Sequence, residues 1–160
     1  MANQPLKRNE NLVPLSREHH AALLLGWKIK KGLHNGTELS RIKKYVSWFW
    51  ENHLQPHQQA EESILFLDAE DSFEKQAESE HRDIENRILA LDDALDETAL
   101  LQIAETLEAH IRFEERVLFP HLEQKLAPEK LKEVGEQLRE EEGHDAKENY
   151  EDPFWEKNTK

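Results

Sequence analysis

Apolar residues recur at helical spacing along most of this chain, and polar breakers divide them into five amphipathic segments. Residues 1–14 are polar, end at Pro14 and read as an arm. Ser16 stands as the N-cap of a first helix over about residues 17–33, closed by His34-Asn35-Gly36. A second helix is predicted over about 38–68, with Tyr45, Trp48, Phe49 and Trp50 as core filling and a kink or break at Pro56. Asp71-Ser72 opens a third, to about residue 92, with Ile84, Ile88, Leu89 and Leu91 facing inwards. A fourth runs over about 97–125, its end bent at Pro120. Pro128 opens a fifth over about 129–142, carrying Leu131, Val134 and Leu138 on one face and ending at Gly143. Tyr150, Phe154 and Trp155 give the tail enough aromatic surface to pack back on the rest.

Four long helices with short links predict an all-α fold, an up-down-up-down four-helix bundle with an additional C-terminal helix. The expected organisation is an arm (1–14), a bundle (15–126), and a C-terminal helix and tail (127–160) packing on it.

Within the fourth helix, His110 and Glu114 are four residues apart and so share a face, beside an apolar stripe of Leu107, Ile111, Val117 and Leu118. The segment His57-Gln-Gln-Ala-Glu61-Glu62-Ser-Ile-Leu-Phe66 repeats it, matching the histidine, both glutamates and the Leu-Phe ending of His110 to Phe119. Imidazole and carboxylate presented together to a bundle interior are ligands for iron, manganese or zinc. The ordinary alternative is two surface ion pairs. The apolar neighbours weigh against it, because they turn these faces inwards, where an unpaired carboxylate is costly.

Composition narrows the class. Charged residues make up 34% and hydrophobic ones 37%, the balance of a soluble helical bundle. A net charge of -13 argues against nucleic acid and anionic membranes as partners. With no cysteine, disulfides, iron–sulfur clusters, thiolate zinc sites and cysteine nucleophiles are excluded. No apolar run approaches a membrane span, and Met-Ala-Asn-Gln-Pro lacks a signal-peptide core, so the expected location is cytoplasmic.

Nine histidines are too many for one site. Beside His57 and His110, His81 lies early on the third helix, and its symmetry mate on the first is His19 or His20. His20 has Leu23, Leu24 and Trp27 along its stripe; His19 has Leu15, Leu23 and Gly26. His34 lies roughly 21 Å along the axis from His20, and His121 roughly 16 Å from His110, at about 1.5 Å per residue, too far to share the site. His53, one turn before His57, is a candidate supporting or entry residue, and His144 falls after the bundle.

These segments, with the leading Leu15-Ser-Arg-Glu-His-His20 and the Glu80-His81 pair, make residues 12–126 resemble the hemerythrin-like, HHE cation-binding proteins. The resemblance implies a four-helix bundle holding two non-haem irons bridged by the two glutamates. The implied metal ligands are His19 or His20, His57, Glu61, His81, His110 and Glu114. Oxygen-carrying hemerythrins have a histidine pair four apart on the third helix; here Ala77 and Glu85 flank His81 at that distance. Glu85 could serve instead, giving a harder site. Otherwise one iron keeps an extra open position.

The function expected is binding, sensing or detoxifying O2, NO or peroxide at two non-haem Fe ions, which Zn or Mn could replace. No general acid, base or nucleophile stands out beyond the ligands. The other readings are a labile iron store or donor, and a structural or partner-binding bundle. Either a monomer or a homodimer fits.

Overall fold

A computed structural model describes residues 7–141 and 150–156, and every regular element among them is helical. Helix α1 (Val13–His34) carries Pro14 in its first turn, where a proline sacrifices no hydrogen bond. It therefore starts before the N-cap expected at Ser16. The Ser16 hydroxyl instead donates across the bundle to the Glu115 carboxylate, at 2.8 Å. Gly36, with φ at 72°, turns the chain into a second rod.

That rod spans 39–65 in four pieces: α2 (Leu39–Phe49), a π turn (Trp50–Leu54), α3 (Gln55–Ala60) and a second π turn (Glu61–Leu65). Pro56 does not break it. A proline ring clashes with the carbonyl four residues earlier, here Asn52, and Asn52 lies inside the first π turn, whose wider loop makes room. Helix α4 (Ser72–Leu89) is capped by the Asp71 carboxylate, which accepts from the Phe73 and Glu74 amides at 2.9 and 3.1 Å. A 3-10 turn (Ala90–Asp92) extends it.

The fourth rod repeats the device of the second. Helix α5 (Glu97–Phe113) passes through a π turn (Glu114–Leu118) into α6 (Phe119–Lys125), and Pro120 stands four residues after Arg116 in that turn. Helix α7 (Pro128–Glu141) then lies across α1 and the second rod, burying Leu131, Val134 and Leu138. Phe154 of the tail is buried beside Gly32, leaving no room there for a Cβ, and Tyr150 and Trp155 pack on Tyr45.

Two apolar clusters fill the bundle. One gathers Leu25, Ile29, Tyr45, Phe49, Ile84, Ile88, Leu100 and Leu107 with their neighbours. The other gathers Leu12, Leu15, Leu65, Phe66, Ala77, Leu118 and Phe119 with the α7 face. Along each rod, the histidines and glutamates of interest sit around the point where one cluster gives way to the other.

Two apolar residues depart from the sequence reading. Leu89 is 51% exposed and Val117 40% exposed. A π turn carries one extra residue, which rotates the succeeding side chains relative to a regular helix; Val117 is turned outwards and Leu118 inwards. Gly143 and His144 lie outside the described residues.

Candidate metal centre

Four imidazoles and two carboxylates meet between the apolar clusters: His19 from α1, His57 and Glu61 from the second rod, His81 from α4, His110 and Glu114 from the fourth rod. All six are buried. Their ligand-type atoms form two overlapping groups, each with every atom within 4.8 Å of the others. One is His19, His57, Glu61 and Glu114; the other is His81, His110, Glu61 and Glu114. Both carboxylates belong to both groups.

The two halves are near copies. The His19 and His57 rings stand 4.8 Å apart at 64°, and the His81 and His110 rings 4.8 Å apart at 70°. Phe119 stacks on His19 and Phe66 on His81. These phenylalanines end the two repeated segments, which explains why the repeat extends that far.

A ring of four further carboxylates holds the imidazoles from outside. His19 Nδ1 lies 2.7 Å from Glu115, His81 Nδ1 2.7 Å from Glu62, His110 Nδ1 2.7 Å from Glu80, and His57 Nδ1 3.3 Å from Glu18. An ionised carboxylate only accepts, so each Nδ1 must be the donor. Every Nε2 is thereby aimed at the centre, the orientation in which a neutral imidazole offers its lone pair to a cation. Sequence reasoning overlooked this ring, although its signal was present. The second glutamate of each repeat (Glu62, Glu115) and the glutamate before each leading histidine (Glu18, Glu80) are the four members.

Inside the ring, His57 and His81 Nε2 lie 3.2 and 3.1 Å from Glu61, and His110 and His19 Nε2 3.1 and 2.8 Å from Glu114. Burial alone would lower each histidine's pKa, but the surrounding carboxylates outweigh it. His57 is pushed up to about 9 by the negative charge of Glu61 close to Nε2 and by the Glu18 carboxylate at Nδ1. His81 is pushed up to about 10, chiefly by Glu114 and Glu61, and His19 and His110 are also raised. Burial and the neighbouring Glu114 oppose ionisation of Glu61, yet the imidazoles hold it at about 2; Glu114 is likewise held low. The centre therefore draws positive charge, as protons when nothing else is bound.

A cation fits better than protons do. Both Glu61 oxygens and His57 Nε2 are buried without a hydrogen-bond partner. Orphaned polar atoms of this kind are expensive in an apolar bundle unless an ion completes them. Mixed imidazole and carboxylate donors suit iron, manganese or zinc.

Of the residues singled out from the sequence, two stand apart. His20 is exposed on the outer face of α1 with Leu23, Leu24 and Trp27, whereas its neighbour His19 is buried and belongs to one of the two groups. Glu85 is only half-buried and belongs to neither group. Ala77, four residues before His81, is fully buried beside the centre and offers no ligand. His53 packs on Trp48 and Phe49, His34 is exposed, and His121 pairs with Asp71 at 2.6 Å. A third acidic group, Asp68, Asp71 and Glu74, is served by the Lys125 ammonium, 2.6 and 2.7 Å from the two aspartates. Among the described residues, no helix is long and apolar enough to cross a membrane.

The family model described as hemerythrin HHE cation-binding domain matches residues 12–122. Comparison with curated proteins and with solved structures yields no match.

Proposed function

The chain belongs to the hemerythrin HHE cation-binding domain family, and on that premise we propose that it is a diiron protein that binds, senses or detoxifies O2, NO or peroxide. His19 and His57 would hold one iron and His81 and His110 the other, with Glu61 and Glu114 facing both. Irons bound there would supply coordination positions and reversible electron exchange toward a small oxidant.

The protein's own residues do the rest. Glu18, Glu62, Glu80 and Glu115 hold the four imidazoles by Nδ1 and fix their direction. Phe66 and Phe119 cover two of the rings, and the apolar clusters on either side keep water away. With Ala77 where a further ligand would be a histidine, both halves present the same two-imidazole set, which favours reaction with a small molecule over simple oxygen carriage. The observation that carries the reading is the pair of overlapping four-ligand groups sharing two buried carboxylates.

Metal analysis and optical spectra of anaerobically purified protein, before and after air or NO, test it. The expected result is about two irons per chain and a spectral change on adding the gas. Stoichiometric iron that a mild chelator removes easily, with no response to either gas or to peroxide, would indicate a store or donor instead. No metal bound and none taken up would overturn the assignment.

A further inference from the structure

The two halves of the centre differ in where their outer carboxylate gets its support. On the His81 side, both Glu62 oxygens receive the Arg82 guanidinium, at 2.8 and 3.1 Å. Arg82 directly follows His81. On the His19 side the matching position is His20, which is exposed. Here a guanidinium reaches Glu115 from Arg8, ahead of α1. Its Nη2 donates to the Glu115 backbone carbonyl at 2.5 Å and lies 3.6 Å from the carboxylate, while Nη1 pairs with Glu123 at 2.5 Å.

Arg8 also lies over the Phe119 ring, 5.3 Å from its centre, on the ring that stacks on His19. Its side chain is 15% exposed, against 57% for Arg82. The segment around it is docked. The Asn9 amide donates to Glu123, Leu12 is fully buried, and Asn11 fills the space in which Gly135 of α7 lacks a Cβ. Within the polar arm, residues 8–12 are docked against the fourth rod and α7.

We propose that Arg8 is a positioning residue for the His19–His57 half, so that retention of one of the two cations depends on the amino-terminal segment. This rests on the two-cation reading above. Arg8 braces two of the groups that touch the His19 ring: Glu115, which holds Nδ1, and Phe119, which covers its face. Without it, Glu115 keeps only Ser16 and His19 among these contacts and the Phe119 face opens to water. On the His81–His110 half the outer carboxylate Glu62 keeps its own guanidinium, Arg82, which the change does not touch.

The test loads the full-length protein and Arg8→Ala with Fe(II) under anaerobic conditions and follows release to excess Fe(II) chelator. In Arg8→Ala one equivalent is expected to leave roughly tenfold faster and the other at the wild-type rate, since residues supporting a metal ligand typically change retention by about 10- to 100-fold. Should Arg8→Ala fail to fold, Glu123→Gln, which removes an anchor of Arg8 without touching the centre, is read in the same way. Both equivalents leaving at wild-type rates, or both accelerating together as in a general loosening of the bundle, overturns the proposal. A wild type that takes up two equivalents while the variants behave identically refutes only the role of Arg8; one that takes up none refutes the two-cation reading and this inference with it.

Discussion

Glu61 illustrates how a single residue binds the two halves together. It is fully buried, has no hydrogen-bond donor for either oxygen, and belongs to both ligand groups. Glu61→Ala should therefore abolish stoichiometric uptake, whereas His57→Ala should keep about one cation per chain, a difference that metal analysis reads directly. Proton linkage gives a second expectation. In the metal-free protein His57 and His81 are raised to about 9 and about 10 from 6.5, because carboxylate partners outweigh burial. Their contribution to stability is complete below about pH 6.5 and is lost as pH rises through 9 to 10. A cation needs the same nitrogens unprotonated. Uptake near pH 7 should release protons, and apparent affinity should fall as pH falls. Titration in weak buffer measures this; uptake without proton release would contradict the charged imidazoles.

At the level of elements, the repeat duplicates a backbone device as well as a motif. Both His-x-x-x-Glu segments enter a π turn at the glutamate, Glu61 and Glu114, and both release the chain with a leucine and a phenylalanine turned into the same apolar cluster. Hydrophobic spacing shows the helix but not the extra residue, which is why Val117 reads as buried in sequence and lies exposed in the structure. The start of α4 at Asp71-Ser72 was legible, because a carboxylate that accepts from amides two and three residues on is a local device. Asp71 also holds Lys125 and His121, so Asp71→Ala should cost about 1–2 kcal/mol in denaturant unfolding, the upper part of the range for a cap. Gly32→Ala is expected to cost about 1–3 kcal/mol by driving a Cβ into Phe154. Displacement of the tail would also appear as a shift in tryptophan fluorescence from Trp155.

For the whole molecule, the decisive quantity is charge. The chain carries -13 and concentrates buried carboxylates at its middle, a self-repelling arrangement that bound cations relieve. A cation that binds only the folded state stabilises it by about 2.7 kcal/mol at a free concentration a hundred times Kd. For a chain of this size that corresponds to a rise in Tm of roughly 5–10 °C. Calorimetry with and without a strong chelator checks it, and an unchanged Tm would contradict specific loading.

The all-α bundle and its family were legible because helical periodicity, caps and breakers are local, and because an internal repeat needs no tertiary knowledge to be seen. The same repeat singled out His57, Glu61, His110 and Glu114. Tertiary structure decided what depends on rotation and distance between rods. It turned His19 inwards and His20 outwards, since neighbours on a helix differ by about 100° and only one can face the axis. It left Glu85 aside, gave Glu18, Glu62, Glu80 and Glu115 their imidazoles on other helices, and brought Arg8 against Phe119, contacts between residues far apart in the chain that no local pattern encodes.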